Sequence, residues 1–181
     1  MQHTKIALRT LLLALLAQTL FFTACKDGSD DTVEENITKV VVSLTGGGQV
    51  REFKWEDADG PGGNAPKVDS ILLPQSLAGT ANTLLGELRI FDGTTEVTEE
   101  IRTEKNEHLF VYKLTGTALA QLAYDDVDGN NEKFGLKTRW VVNTGAGAVN
   151  IKLYHEPTSK FDLNNPGGEV DFDVTFPVRI Q

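Results

Sequence analysis

The chain has 181 residues, with 26 acidic against 17 basic side chains, a net charge of −9, a single cysteine and an apolar share of 40%. That length supports one domain with a sizeable core. A surface this acidic repels phosphate backbones and speaks against nucleic acid as a partner, and a lone cysteine excludes an internal disulfide.

Lys5 and Arg9 open the chain without an acid, and an apolar run follows from Leu11 to Ala24, broken only by Gln18, Thr19 and Thr23. As a helix those residues span about 21 Å, short of the roughly 30 Å hydrocarbon core. A basic start, a short apolar middle and small residues at the end describe a secretory signal over residues 1–24. Leu20-Phe21-Phe22-Thr23-Ala24-Cys25 resembles the lipobox of bacterial lipoproteins, with Phe22 where the usual pattern prefers Leu. The resemblance implies acylation of Cys25, palmitate included, and a mature chain that begins there. Each buried acyl methylene contributes about 0.8 kcal/mol, so several chains together anchor the domain to a membrane without a spanning helix.

Cleavage removes 24 residues, Lys5 and Arg9 among them, and leaves 157 residues with 15 basic side chains against 26 acidic ones, a net charge near −11. Residues 25–36 hold Asp27, Asp30, Asp31, Glu34 and Glu35 but only one large apolar residue, Val33. They are expected to form a flexible acidic tether, because such a segment buries too little surface to offset its ordering entropy. Lysine and acids directly after the cysteine also resemble the export signal that sends Bacteroidota lipoproteins to the outer face of the outer membrane. The expected location is therefore the outer membrane, lipid-anchored and facing the cell surface.

From residue 37 onward the pattern is one of short strands. Ile37 to Thr45 and Gln49 to Glu56 flank Gly46-Gly47-Gly48 and read as a hairpin, with Phe53 and Trp55 on one face. Asp57 to Asn64 reads as an exposed loop. Val68 to Leu73 reads as one short strand closed by Pro74. Asn82 to Phe91 fits both helix and strand, with Gly86 and the alternation of Leu88 and Ile90 favouring strand and Asp92-Gly93 supplying a turn. Glu96 to Glu107 is mostly loop with room for one helical turn.

Strands are expected at Leu109 to Leu114 and Leu119 to Tyr124, although Ala118 to Ala123 also fits a helix. Leu136 to Asn143 and Ala148 to Tyr154 form the strongest hairpin pattern, joined by Thr144-Gly145-Ala146-Gly147. Val170, Phe172, Val174, Phe176, Val178 and Ile180 alternate with polar residues, as a half-buried strand requires. Pro177 lacks a ladder donor and should face an edge or the strand's end. The whole indicates an all-β domain over residues 37–181, an antiparallel Ig-like β-sandwich of about eight to nine strands.

FKWEDADG at 53–60, TEEIRTEKNEHLFVY at 98–112, YDDVDGNNEKFGL at 124–136 and VDFDVTFPVRI at 170–180 resemble a group of small Bacteroidota surface lipoproteins. The resemblance covers most of the mature domain and implies the compartment and a β-rich fold. It carries over no catalytic residue.

Three constellations carry chemistry. Asp125 to Glu132 packs carboxylates and amides densely enough for Ca²⁺, with Asp126, Asp128, Asn130 and Glu132 as ligands. It is not an EF-hand, since Asn131 and Lys137 stand where that loop needs Gly and Glu. Asp57, Asp59 and Asn64 form a second acidic loop that shares an ion with the first if both lie at one end of the sandwich. The two histidines of the mature chain, His108 and His155, each sit beside a glutamate (Glu107, Glu156), a combination that can hold Zn²⁺ or Cu²⁺. Trp55 and Trp140 are either core or a ligand platform.

No G-x-S-x-G elbow or H-E-x-x-H occurs and no thiol is free, so an enzyme is not expected. The first functional expectation is a tethered ligand- or ion-binding module that assists an outer-membrane uptake system. The alternative is a structural or adhesive Ig-like module that binds another protein, with its loops merely solvated.

Overall fold

β-branched side chains crowd a helix but pack well on a pleated sheet. Val40-Val41-Val42 accordingly form the centre of β1 (Lys39–Gly46) in the computed structural model, which describes residues 36–60 and 62–181. The signal, Cys25 and the tether up to residue 35 lie outside the described residues. β1 turns through Gly47 and Gly48 into β2 (Gln49–Glu56). Both glycines have positive φ, 53° and 74°, as a two-residue type I′ hairpin turn requires.

The chain continues through β3 (Lys67–Val68), β4 (Ile71–Leu73), a 3₁₀ turn at Gln75–Ala78, β5 (Thr83–Asp92), β6 (Thr95–Glu96) and the helix α1 (Thr98–Thr103). β7 (His108–Gly116), β8 (Leu119–Tyr124), β9 (Lys137–Val142), β10 (Gly145–His155) and β11 (Glu169–Ile180) complete it. Sheet A runs β3-β2-β1-β5-β9-β8, with β6 beside β5; sheet B runs β4-β11-β10-β7. The fold is an all-β sandwich of eight long strands and three short ones. Its pairings are antiparallel except β4 with β11, which is parallel.

Between the sheets lie Val40, Val42 and Leu44 of β1, Leu84, Leu88 and Ile90 of β5, and Phe172, Val174, Phe176, Val178 and Ile180 of β11. Burying those five β11 side chains contributes roughly 10 kcal/mol before chain entropy is subtracted. Trp140 is 1% exposed and donates its indole N–H to the Thr138 hydroxyl at 2.7 Å, so it is core rather than a platform. Trp55 stays half-buried at the sheet margin.

Three expectations are corrected. Val68 to Leu73 is not one strand, because the chain leaves sheet A after Val68 and joins sheet B at Ile71. β9 and β10 are not a hairpin: β9 pairs with β5 and β8 in sheet A, whereas β10 pairs with β7 and β11 in sheet B. The glycines between them mark close backbone approach instead of a turn, since a side chain at Gly147 would strike the Thr115 carbonyl and Gly116 of β7.

Val170 is exposed rather than inward. The register shifts so that Leu153 faces Phe172 and Tyr154 faces Val170, leaving Asp171 without an opposite residue, and this bulge turns Asp171 inward. Pro177 lies inside β11 opposite Ala148, one residue before the β4 pairing begins, so the strand presents an open edge there on its other side, one of the two placements expected for a residue without a ladder donor.

Residue 36 leads into β1 at what we term the proximal end. The connections 57–66, 93–107, 125–136 and 156–168 all leave the strands there.

Candidate functional site

At the proximal end β7 begins and β10 finishes, and the ladder sets His108 directly opposite His155. Their rings stack with centroids 4.9 Å apart and planes 11° from parallel. His108 is 1% exposed, and its Nδ1 donates to the Glu104 carbonyl at 3.1 Å. Its Nε2 faces Asp171 Oδ2 at 4.0 Å, beyond hydrogen-bond length. Burial drives the His108 pKa down to about 4, with His155 and the Lys160 cation adding to the effect and the Glu104 carbonyl opposing it.

The structure therefore brings the two histidines together, with Asp171 as the carboxylate beside His108. A metal must lie in the plane of each imidazole that holds it, and two nearly parallel stacked planes share no such point. Among the described residues no three His, Cys, Asp or Glu side chains converge.

The 125–132 loop is drawn closed by its own carboxylates. Asp126 accepts the Gly135 amide on Oδ1 (2.7 Å) and the Lys137 amide on Oδ2 (2.8 Å). Burial still raises its pKa above the usual carboxylate range. Asp128 Oδ1 accepts the amides of Asn130 (2.8 Å) and Glu132 (2.9 Å), while Oδ2 accepts Lys160 Nζ at 2.8 Å. Burial alone would raise the Asp128 pKa, but the Lys160 ammonium and those amides outweigh it and hold it low. Asp125 pairs with Arg139 at 2.8 Å. Asn131 takes the left-handed conformation (φ 63°) that an EF-hand gives to glycine. The oxygens of Asp126 and Asp128, expected on calcium, are thus committed to protein donors.

Lys160 is 4% exposed and also donates to the Lys105 carbonyl at 2.7 Å. The next residue, Phe161, is 78% exposed. Ser159 Oγ accepts the Phe161 and Asp162 amides, and Asp162 Oδ1 accepts those of Asn164 and Asn165, so the loop is braced on both sides of the ring. Val127, 45% exposed, precedes Asp128 on the loop to which Lys160 is bonded. Lys160, Phe161 and Asp171 are absent from the sequence-based expectations. Only the isolated Lys-Phe pair in a polar loop hints at the first two, and no pattern reveals the bulge at Asp171.

The second acidic loop, with Asp57, Asp59 and Asn64, also leaves the proximal end. It follows β2, four strands across sheet A from the end of β8. At about 4.8 Å per strand that separation is about 19 Å, too far for the two loops to share an ion. Two open depressions mark the outer faces. One of about 360 Å³ on sheet B has Lys152 and Asp173 ion-paired at its floor, and one of about 250 Å³ on sheet A lies beside Leu85. No helix among the described residues is long and apolar enough to cross a membrane.

Comparison with family models, with curated proteins and with solved structures finds no match for this chain.

Proposed function

We propose that the protein is a lipid-anchored cell-surface module that binds another outer-membrane protein through its proximal loops. The supporting observation is Phe161, a large aromatic side chain held in water by a loop whose adjacent residue, Lys160, is locked in a buried ion pair with Asp128. Exposing an aromatic ring on a braced loop costs solvation free energy that binding recovers, and rigid aromatic anchors are the side chains that carry most interface energy. Residues 25–36 reach at most about 40 Å when extended, which keeps the proximal end near the lipid and the partner in or on the same membrane. In this reading the committed carboxylates of the 125–132 loop shape the surface and hold no calcium. No catalytic step is assigned.

The test replaces Phe161 by a photo-crosslinking phenylalanine in the full-length lipoprotein in cells, with the same residue at Thr175 on the outer face of sheet B as control. One discrete adduct from position 161, absent from position 175, is the expected result. Equal labelling at both positions, or none at 161, rejects the reading.

A further inference from the structure

The ion pair at the proximal end is almost wholly out of water. The Lys160 and Asp128 side chains are only 4% and 0% exposed, and Nζ lies 2.8 Å from Oδ2. Two ions buried together regain only part of their lost hydration by attracting each other. A neutral product formed at the same place removes both charges.

The hydrogen bonds around the pair already suit an amide. Asp128 Oδ1 accepts two backbone N–H groups, from Asn130 at 2.8 Å and Glu132 at 2.9 Å. Lys160 Nζ donates to the Lys105 carbonyl at 2.7 Å, and its other bond is to Oδ2. An amide that joins Nζ to Cγ keeps one N–H, for the Lys105 carbonyl, and one oxygen, Oδ1, for the two loop amides. Oδ2 is the atom the product does not need.

We propose that Lys160 and Asp128 condense in the folded protein into an intramolecular isopeptide bond, which cross-links the 125–136 and 156–168 loops. The ammonium passes one proton to Oδ2 across their hydrogen bond, and the freed amine attacks Cγ. That hydrogen bond leaves Nζ about 3.5 Å from Cγ, the separation of reacting atoms held for attack. The developing negative charge falls on Oδ1, where the Asn130 and Glu132 amides stand in place as an oxyanion hole. A second proton moves from the nitrogen to Oδ2, the Cγ–Oδ2 bond breaks, and water leaves. A C–N bond replaces a C–O bond, and no oxidant or further reactant is consumed. The chain folds with the ion pair, and the bond closes afterwards. The cross-link braces the loop that carries Phe161 whether or not a partner binds there, so neither the bond nor its test depends on the docking surface.

The test is a tryptic digest of the full-length protein, extracted from cells in detergent and read by mass spectrometry. Trypsin releases residues 114–133, which contain Asp128, but it cannot cut after an acylated Lys160, so residues 153–179 stay whole. The expected species joins these two peptides at about 18 Da below their summed mass, the loss of one water. Lys160→Arg keeps the cation without the amine and should release residues 114–133 unjoined and at full mass.

Separate release of residues 114–133 and 153–160 at full mass from the unaltered chain overturns the proposal. A loss of water confined to residues 114–133 overturns it equally, because it assigns the dehydration to attack of the Gly129 amide on Asp128.

Discussion

His108 exchanges solvation for packing: its ring lies against His155 and holds one proton, on Nδ1, for the Glu104 carbonyl. The folded protein keeps it neutral down to about pH 4, whereas the unfolded chain takes up a proton below about pH 6.5. A depressed folded pKa gives stability that is full above 6.5 and lost as the pH falls from there towards 4. At pH 5 this one residue should lower stability by about 2 kcal/mol relative to pH 8. His108→Phe keeps a ring on His155 and removes the proton uptake. Urea unfolding at the two pH values should show a correspondingly smaller loss in the variant, and an unchanged loss would assign the acid sensitivity to other groups.

Among elements, the 125–136 and 156–168 loops are joined by one buried ion pair and are expected to fail together. Lys160→Met leaves Asp128 Oδ2 buried with neither charge nor donor and should cost about 3 kcal/mol, read as a drop in melting midpoint of roughly 6–12 °C. Adding Asp128→Leu should not restore it, because Asp128 Oδ1 also satisfies the amides of Asn130 and Glu132. Full recovery in the double variant would show that the pair adds nothing beyond its own charges.

How much of this was legible follows from range. The alternation from Phe172 to Ile180 and the Gly47-Gly48 turn are local patterns and stand as read. A glycine run reads the same whether it turns a hairpin or lets two strands approach, so the β9–β10 pairing was misread. Lys160 lies 32 residues from Asp128 in sequence, and no spacing announces such a pair. The bulge moved Asp171 inward and Val170 outward by a one-residue shift of register, which alternation alone cannot reveal.

For the molecule as a whole, the proposed lipid attachment carries its own prediction: on that reading, release from the membrane leaves the fold of residues 36–181 untouched. Cys25→Ser is expected to abolish palmitate labelling and move the protein to the soluble fraction. Its melting midpoint should match that of the anchored form in detergent. Continued labelling of that variant would reject the lipoprotein reading, and a lowered midpoint would mean that the lipid supports the fold.

The parallel pairing of β4 with β11 sets a timetable as well as a shape. Residues 71–73 pair with residues 178–180, so this contact forms only once β11, far along the sequence, has docked. β11 is also an inner strand of sheet B, so until it docks that sheet has only its β7–β10 pair. Closure over so long a range makes folding slow and leaves the edges of β4 and β10 open until that last strand arrives.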